Sequence, residues 1–423
     1  MAKIIVAAPP VTGELSPLLR IAEGLAERGH RVRVVTGSRF KEEIEHAGLA
    51  FTPVPDVADF DDRLFGDDPE RAKLAPGPEM INYDWIHAFV NPLPGLHAVL
   101  QQLLEPDPDQ YLIANALWLG AFPEAMGAPG LRPRRWVAVT AVPLPLGSDD
   151  ATFFGPAPVE PGGDQKAANR AANAQFASML QPTQDRFTEV LYSLGATKDP
   201  PVFVDGIFTV PDAIAALTVP GVEFERNDAP DTLHLVGVLP GRATDDWQIP
   251  AWWAELDGSR PVVVVTQGTL ANRDLSELIE PTLTGLADLD VTVVAALGRE
   301  VEALSIPIPA NACVAEFIPF DALLPKADVF ITNGGFGGTQ QALAAGVPVI
   351  VAGVTEDKPA TAARIAYHGL GINLETATPT PEAVAAATET VLNDSDMRDT
   401  VRSIAQVYAA HSALEEIERL TLA

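Results

Sequence analysis

A glycine-rich stretch in the last third of the chain constrains the fold most. Residues 333–339 read Asn-Gly-Gly-Phe-Gly-Gly-Thr and follow the apolar run 329–332. They open an alanine-rich helical pattern that ends at Gly346, and a second apolar run, 347–351, comes next. A buried strand, a glycine turn, a helix and another buried strand are typical of a parallel sheet in an α/β domain.

The same stretch predicts an anion site. The first N–H groups of a helix have no partner within the helix, and the helix dipole adds partial positive charge there. Glycines allow a phosphate to approach the backbone closely. The turn is therefore interpreted as a holder of a nucleotide or a sugar phosphate, with a glycine turn that binds nothing as the alternative.

The first half of the chain repeats the alternation of strands and helices. Strands are predicted over 3–8 and 31–36, and Pro17 is placed at the first position of the helix between them. The predicted fold class is α/β, with two tandem Rossmann-like, doubly wound parallel-sheet domains facing a cleft. The predicted bounds are a first domain over 1–239, a linker over 240–259, a second domain over 260–400, and a C-terminal helix over 401–423 that packs back toward the first domain.

Charge and composition exclude several classes of partner. The 423 residues carry a net charge of −29, which argues against nucleic acids and anionic membrane surfaces. Cys313 is the single cysteine, so an internal disulfide is excluded and a reducing, cytoplasmic location is expected. No stretch of about 18 apolar residues predicts a membrane span.

Taken in order along the chain, short motifs in both domains resemble the GT-B nucleotide-sugar glycosyltransferases of family 1. The closest resemblance is to the bacterial enzymes that glycosylate macrolides, polyketides and other small molecules. The matching segments lie at 13–17, 25–32, 265–269, 317–319, 328–335, 342–348 and 357–358. The resemblance covers nearly the whole chain and implies the GT-B fold and transfer of a sugar from a nucleotide-sugar.

The resemblance also implies a set of donor-binding residues. The turn 334–339 would hold the donor diphosphate, the backbone at 317–318 would frame the base, and Gln341 and Asp357 would meet the ribose and the transferred sugar. The donor-binding residues so implied are Gly268, Thr269, Phe317, Ile318, Asn333, Gly334, Gly335, Gly337, Gly338, Thr339, Gln341, Asp357 and Lys358.

Several side chains depart from the family pattern. Asn333 replaces a histidine, Gln341 a glutamate and Lys358 a glutamine. Asn333 is interpreted either as a donor to the diphosphate or as a helix N-cap. Asp357 has a surface carboxylate near a helix start as its alternative.

The difference from the family pattern with the largest consequence concerns the catalytic general base. Glu14 replaces the histidine that serves as the family's base, and Asn115 falls near the aspartate that orients it. Glu14, placed in the loop after the first strand, is the predicted catalytic base. The alternatives are a carboxylate in the first helical turn and a base at His87 or His97.

Acceptor-side residues are predicted from apolar and aromatic character. The candidates are Trp85, His87, Phe89, Trp118 and Phe153. No metal and no cofactor beyond the nucleotide-sugar are expected, because no convincing ligand cluster is present.

The predicted function is inverting, metal-independent transfer of a sugar from a UDP- or dTDP-sugar to a hydroxyl of a small apolar acceptor, such as a natural product or a xenobiotic. A catalytically dead GT-B protein that binds a sugar-nucleotide or activates a partner is the main alternative. Sugar-nucleotide epimerisation on the same fold is a further one.

Overall fold

The computed structural model describes residues 1–75, 77–239, 247–268 and 272–423, without the side chain of Phe65. The chain divides into two units. The first unit comprises 1–217, 226–239 and 412–423, and the second comprises 218–225 and 240–411. Segments 218–225 and 401–411 therefore lie in the second unit, whereas the sequence placed the former in the first domain and the latter in a helix packing back on it. Residues 240–246 of the predicted linker lie outside the described residues.

The first unit contains a seven-stranded parallel sheet with the order β3-β2-β1-β4-β5-β6-β7. Its strands are β1 (Lys3–Ala7), β2 (Arg31–Thr36), β3 (Ala50–Pro53), β4 (Tyr111–Asn115), β5 (Trp136–Thr140), β6 (Ala213–Ala216) and β7 (Leu233–Leu235). Alternate residues of β1 enter two different cores, Ile5 on one face of the sheet and Ile4 on the other. The sheet is therefore covered on both faces, as the doubly wound prediction requires.

The second unit contains a six-stranded parallel sheet with the order β10-β9-β8-β11-β12-β13. Its strands are β8 (Val262–Thr266), β9 (Thr292–Ala296), β10 (Ala312–Ala315), β11 (Val329–Thr332), β12 (Val349–Val351) and β13 (Gly371–Asn373). All five residues of β8 are buried, because helices cover both faces of this central strand.

Helices connect the strands in both units. In the first half of the chain they are α1 (Thr12–Glu27), α2 (Lys41–His46), α3 (Pro78–Trp85), α4 (Leu93–Leu104), α5 (Phe122–Ala125), α6 (Gln165–Met179), α7 (Gln181–Ser193) and α8 (Phe203–Thr209). The second half contains α9 (Ile279–Gly285), α10 (Phe320–Leu323), α11 (Phe336–Ala344), α12 (Lys358–Tyr367), α13 (Pro381–Asn393), α14 (Ser395–Ala409) and α15 (Ala413–Leu422). The last of these, α15, belongs to the first unit and packs against α1, β4 and β5.

Two predicted helices are divided in the structure. The sequence pattern predicts one long helix over 165–192, and the structure has two helices there, α6 and α7, separated at Leu180. Pro182 lies in the first turn of α7, where its missing N–H is tolerated. The C-terminal helix predicted over 401–423 is divided between α14 and α15, with a break at 410–412.

The start of α1 was also predicted wrongly. The helix begins at Thr12, and Pro17 lies inside it. Asp62, fifty residues away, accepts a hydrogen bond from the Thr12 N–H at 2.7 Å and so satisfies one of the first free N–H groups. A cap from a distant loop leaves no local signal, which is why Pro17 was taken as the start.

Each sheet has a point where the connections change direction. It lies between β1 and β4 in the first unit and between β8 and β11 in the second. Loops leaving the carboxyl ends of two such neighbouring strands run to opposite faces of the sheet and open a crevice between them, where α/β proteins bind ligands. Glu14 and Asn115 lie at the first switch point, and Gly268 and Asn333 lie at the second.

Candidate functional site

The glycine turn of the second unit is built for close approach to its backbone. It joins β11 to α11, and Gly334 has a φ of +94°, a left-handed conformation that favours glycine. A Cβ on Gly334 would lie 2.8 Å from Val351 Cγ1 and 3.3 Å from Lys358 Cβ. Gly268, at the end of β8, has a φ of +75°. Both turns at this switch point therefore require glycine.

The N-terminus of α11 is open at one position. Gly335 occupies the N-cap position, without a side-chain cap, and the helix runs for nine residues from Phe336. A Cβ on Gly337 would meet no atom of the described residues within 4 Å, and its φ lies outside the left-handed region. On Gly338 it would contact Phe320 and Phe330 at 3.5 and 3.6 Å. Gly337 thus leaves space beside the free N–H groups of the first turn, rather than serving a special backbone angle.

Asn333 links the two loops of this switch point. Its Nδ2 donates a hydrogen bond to the carbonyl oxygen of Gln267, the residue after β8. Its Oδ1 lies 3.6 Å from the position that a Cβ on Gly268 would take. The N-cap interpretation of Asn333 is wrong, since Gly335 occupies that position. Asn333 instead fixes the distance between the loop after β8 and the loop after β11.

The other residues predicted to bind the nucleotide-sugar differ in how much of their side chain is exposed. The Thr339 side chain is fully buried, and both its N–H and its hydroxyl donate to the Gly335 carbonyl, at 3.1 and 2.9 Å. Thr339 therefore closes the first helical turn rather than facing a ligand. Gln341 is partly exposed, and its Nε2 donates to the Gly337 carbonyl at 3.4 Å. Thr269 lies outside the described residues.

Phe317 and Ile318, the residues predicted to frame the nucleobase of the donor, follow β10. The Phe317 side chain is 59% exposed, whereas the Ile318 side chain is buried. The backbone here is tied to the loop after β9, since the Gly298 N–H donates to the Glu316 carbonyl at 2.8 Å. Phe317 therefore offers an exposed aromatic face on a fixed backbone.

The start of α12 lies beside the glycine turn. Asp357 occupies the N-cap position without making a side-chain cap, and burial raises its pKa above that of an ordinary aspartate. Lys358 is buried, and its stem lies against Gly334 and Gly353. The Lys358 ammonium pairs with Glu356 and donates to Thr355 Oγ1 at 3.3 Å. Most of the Lys358 side chain thus supports the turn from behind.

The first unit places Glu14 in the first turn of α1 rather than in the preceding loop, so the predicted location was wrong. Glu14 is partly buried, and the Nδ2 of Asn115, the last residue of β4, donates a hydrogen bond to Glu14 Oε2. Asn115 is buried, and its Oδ1 accepts from the Leu117 N–H at 2.9 Å. These two bonds fix the amide orientation, so that Asn115 holds one carboxylate oxygen of Glu14 in a defined place.

The predicted acceptor residues do not form one group. Trp118 is fully buried in the core of the first unit and exposes nothing to a ligand, so its prediction as a lining residue is wrong. Trp85 and Phe89 are partly buried against the same core, with Trp85 against Phe203 at 5.4 Å between ring centroids. His87 is exposed and stacks on Tyr83 at 3.9 Å.

Phe153 lies beside a cavity that the sequence did not indicate. Its ring is 5.8 Å from that of Phe176, which lines a cavity of 360 Å³ together with loop 145–149, α6 and Asp228. The residues come from segments up to 83 positions apart, so no local pattern marks them.

His97, the other histidine considered as the general base, is held by contacts with Gly120 and Glu124. Its Nδ1 lies 3.3 Å from the Gly120 carbonyl oxygen and 3.7 Å from Glu124 Oε2, and burial lowers its pKa. Burial also raises the pKa of Glu124 to about 7. His97 lies on α4 and Glu124 lies on α5.

The described residues lack both a metal-binding cluster and a membrane-spanning helix. They contain no group of three or more histidine, cysteine, aspartate or glutamate side chains placed to hold a metal ion. None of the helices that the structure describes is both long enough and apolar enough to cross a bilayer.

Known glycosyltransferases are similar to this chain along nearly its whole length. Residues 280–422 match the family model described as the erythromycin biosynthesis protein CIII-like C-terminal domain. The chain is 38% identical to UDP-glycosyltransferase 2 of Phaeomoniella chlamydospora over 98% of its own length and 94% of that protein. It is 33% identical to 4'-demethylrebeccamycin synthase of Lentzea aerocolonigenes over 98% of its own length and 97% of that protein.

A solved structure has the same fold. The calicheamicin glycosyltransferase CalG4 superposes with a TM-score of 0.73 at 20% identity, covering 99% of this chain and 98% of the other. The parallel-sheet units, the glycine turn at the second switch point and these relatives agree on one protein family.

Proposed function

The chain belongs to the family 1 GT-B glycosyltransferases, and we propose that it is an inverting enzyme that transfers a sugar from a UDP- or dTDP-sugar to a hydroxyl of a small apolar acceptor. Transfer of a sugar and use of a nucleotide-sugar donor follow from the family. Donor identity, acceptor class, stereochemistry and metal independence are the proposed parts.

The observation that carries the proposal is the open N-terminus of α11. Its first N–H groups, the space beside Gly337 and the left-handed Gly334 together make a cradle for a diphosphate. The net charge of −29 repels an anion from a distance, so binding depends on these local groups. Asn333 keeps the loop after β8 in place beside the cradle.

In the proposed reaction, Glu14 acts as the general base. One carboxylate oxygen takes the proton of the acceptor hydroxyl while the hydroxyl oxygen attacks the anomeric carbon. The bond from that carbon to the β-phosphate oxygen breaks, and the nucleoside diphosphate leaves with the bonding electrons. A single displacement inverts the configuration at the anomeric carbon. Asn115 fixes the Glu14 carboxylate by its hydrogen bond to Oε2, so the base is oriented before substrate binds.

The leaving diphosphate is stabilised by groups of the chain in this proposal. The N–H groups and the dipole of α11 meet the charge that develops on the leaving oxygen. Asp357, at the start of α12, accepts hydrogen bonds from hydroxyls of the transferred sugar. A metal ion is not required in this scheme, and retention of full turnover in excess chelator tests that part.

The proposed acceptor is a small molecule with apolar surface. The matched family is described by an erythromycin biosynthesis protein, and one relative is named as a synthase of 4'-demethylrebeccamycin. In the first unit, Phe153 packs with Phe154, which is 53% exposed, and with Phe176 beside the 360 Å³ cavity. These rings offer apolar contact area for such an acceptor.

The deciding experiment incubates the protein with UDP-glucose or dTDP-glucose and a panel of polyketide and flavonoid acceptors, and mass spectrometry detects the glycosylated product. Product with inverted anomeric configuration by NMR supports the proposal. Donor binding without turnover on any acceptor supports the alternative of a sugar-nucleotide-binding pseudo-enzyme. The cytoplasmic location stays a prediction, and cell fractionation tests it.

A further inference from the structure

One short segment of the second unit lies, in sequence, between two segments of the first unit. Residues 218–225, here called the strap, belong to the second unit, whereas 217 and 226 on either side belong to the first. The strap contacts α14 through Gly221, whose Cβ position lies 2.7 Å from Ile404 Cδ1. Its other end reaches α12, the helix that begins with Asp357 and Lys358.

A fully buried ion pair fastens the strap to α12. Glu223 Oε2 accepts from Arg364 Nε at 2.9 Å, and Glu223 Oε1 accepts from Arg364 Nη2 at 2.6 Å. The side chains are only 2% and 1% exposed. Glu223 Oε1 also accepts from the Phe224 N–H at 3.0 Å, and Arg364 Nη1 donates to the Ala360 carbonyl at 2.9 Å. The pair is therefore well supplied with hydrogen bonds on both sides.

Aromatic rings complete the attachment. The Arg364 guanidinium lies 4.5 Å from the centre of the Phe224 ring, a cation–π distance. The Phe224 ring packs in turn on Tyr367 and His368 at the end of α12, at 5.2 and 5.9 Å. The strap thus holds α12 by its last turns and leaves the first turn free.

We propose that Glu223 and Arg364 are positioning residues that set the place of the sugar-binding end of α12, and so of Asp357. The inference rests on the proposed function, because it requires that Asp357 bind the sugar of the donor. Arg364 follows Asp357 by seven residues, which places both on the same side of the helix, about 10 Å apart along its axis. A shift or rotation of α12 at Arg364 therefore moves the Asp357 carboxylate.

A buried ion pair at this place is better suited to fixing the position of α12 than to stabilising the fold. Buried ion pairs often stabilise a fold no more than apolar side chains of the same size, because both charges lose their hydration. A two-bond contact between guanidinium and carboxylate, however, fixes both distance and angle. Arg364, together with Lys358, also opposes the effect of burial on the Asp357 carboxyl and so favours its charged form, which accepts hydrogen bonds from a sugar.

The experiment separates the sugar from the nucleotide. Calorimetry measures the dissociation constants of UDP and UDP-glucose, and of dTDP and dTDP-glucose, for the native protein and for Glu223→Gln. The ratio of the dissociation constants of a nucleotide and its sugar derivative reports how much the sugar contributes to binding. We expect Glu223→Gln to reduce that contribution about tenfold, the scale of a hydrogen bond to a charged group, while the nucleotide alone binds within about twofold of native.

A second variant removes the risk that an unpaired buried charge prevents folding. Glu223→Leu combined with Arg364→Met leaves two apolar side chains and no buried charge. It is expected to fold and to show the same loss of the sugar contribution. Because the two residues act as one unit, the double variant should lose no more of this contribution than Glu223→Gln alone.

Two controls isolate positioning from general destabilisation. Val391→Ala makes a cavity in the core of the second unit on α13 and should lower the melting temperature without changing the ratio within a pair. Arg402→Gln breaks an exposed ion pair with Asp399 on α14 and should change neither quantity.

The outcomes distinguish failure of the inference from failure of the proposed function. An equal loss of nucleotide and nucleotide-sugar affinity in the Glu223 variants would overturn the positioning role, and so would no loss at all. A native protein that binds each nucleotide as tightly as its sugar derivative would also overturn it. If the native protein binds none of the four ligands, the donor function itself fails.

Discussion

Each sheet carries an asparagine at its switch point, and the two asparagines bind different kinds of group. Asn115 in the first unit donates to the side chain of Glu14. Asn333 in the second unit donates to the main-chain carbonyl of Gln267. The strand order around them is the same, since β1-β4 corresponds to β8-β11. The first switch point therefore organises a side chain, and the second organises backbone.

This difference explains how each site tolerates change in sequence. A cradle of N–H groups keeps its chemistry whatever side chains surround it, because every residue except proline offers the same donor. Its requirement is space, as at Gly337. The proposed general base depends on one functional group, so a glutamate at position 14, where the family pattern has a histidine, would change the chemistry of proton transfer itself. In this protein the resemblance to the family is correspondingly strong in the turn and departs at the base.

The largest expected effect is on the backbone site. Gly337→Val should abolish nucleotide binding, since the new side chain fills the open space beside the α11 N–H groups, while the fold is retained. Calorimetry with UDP and dTDP and a circular dichroism melt measure the two properties. Gly13→Val in the first turn of α1, where a Cβ also meets no described atom within 4 Å, is the matched control and should bind nucleotide normally. Normal binding by folded Gly337→Val would show that the cradle is elsewhere.

Glu14→Gln tests the side-chain site. Gln keeps an oxygen that accepts from Asn115 but cannot take a proton, so kcat should fall by about 100-fold or more with donor affinity nearly unchanged. Single-turnover kinetics and nucleotide calorimetry measure the two quantities. Full turnover in the variant would remove Glu14 as the base and would leave exposed His87 as the next candidate.

The two asparagines give a matched pair of smaller effects. Asn115→Ala should lower kcat about tenfold without changing donor affinity, because it releases the Glu14 carboxylate. Asn333→Ala should weaken donor binding about tenfold at unchanged kcat under saturation, because it frees the loop after β8. Steady-state kinetics with varied donor separate the two. If both variants alter the same parameter, the division into a side-chain site and a backbone site is wrong.

The smallest effect on activity is expected at Glu124, a buried carboxylate of the first unit that lies off the switch point. Its pKa is about 7 in the folded protein and 4.5 ordinarily, so the folded state holds the proton more tightly. The stability from this group is present below pH 4.5 and is lost as the pH rises through 7.

Glu124→Gln should therefore stabilise the protein more at pH 8 than at pH 5, by on the order of 2 kcal/mol, with kcat within about twofold of native. Urea unfolding at the two pH values measures the difference. An equal stability change at both values would contradict the assignment of a raised pKa to this carboxyl.

Much of the fold was predictable because buried parallel strands are continuous apolar runs. Strands β2 and β11 have the predicted bounds, and the glycine turn is where it was expected. Strands β10 and β13 were not recognised. They lie at the two edges of their sheet, they are four and three residues long, and most of their residues are only partly buried, so they carry little apolar signal.

The side-chain part of the site was less predictable, since it depends on contacts between distant residues. Glu14 was identified by resemblance, but its place in the first turn of α1 depends on the contact from Asp62. Trp118 was taken for a ligand-facing residue because aromatic character alone does not separate a lining residue from a core residue. The buried pair of Glu223 and Arg364 joins residues 141 positions apart and left no local pattern.

The location of α15 has a consequence for how the protein is made. This helix follows the second unit in sequence, yet it lies on α1, with Leu414 against Gly24 and Glu418 bound to Arg28 at 2.6 Å. During synthesis, α1 therefore keeps part of its surface uncovered until α15 has left the ribosome. The second unit can fold before the first unit is complete, because all of its residues precede α15. A nascent chain that stalls after α14 would display that bare surface to chaperones and proteases.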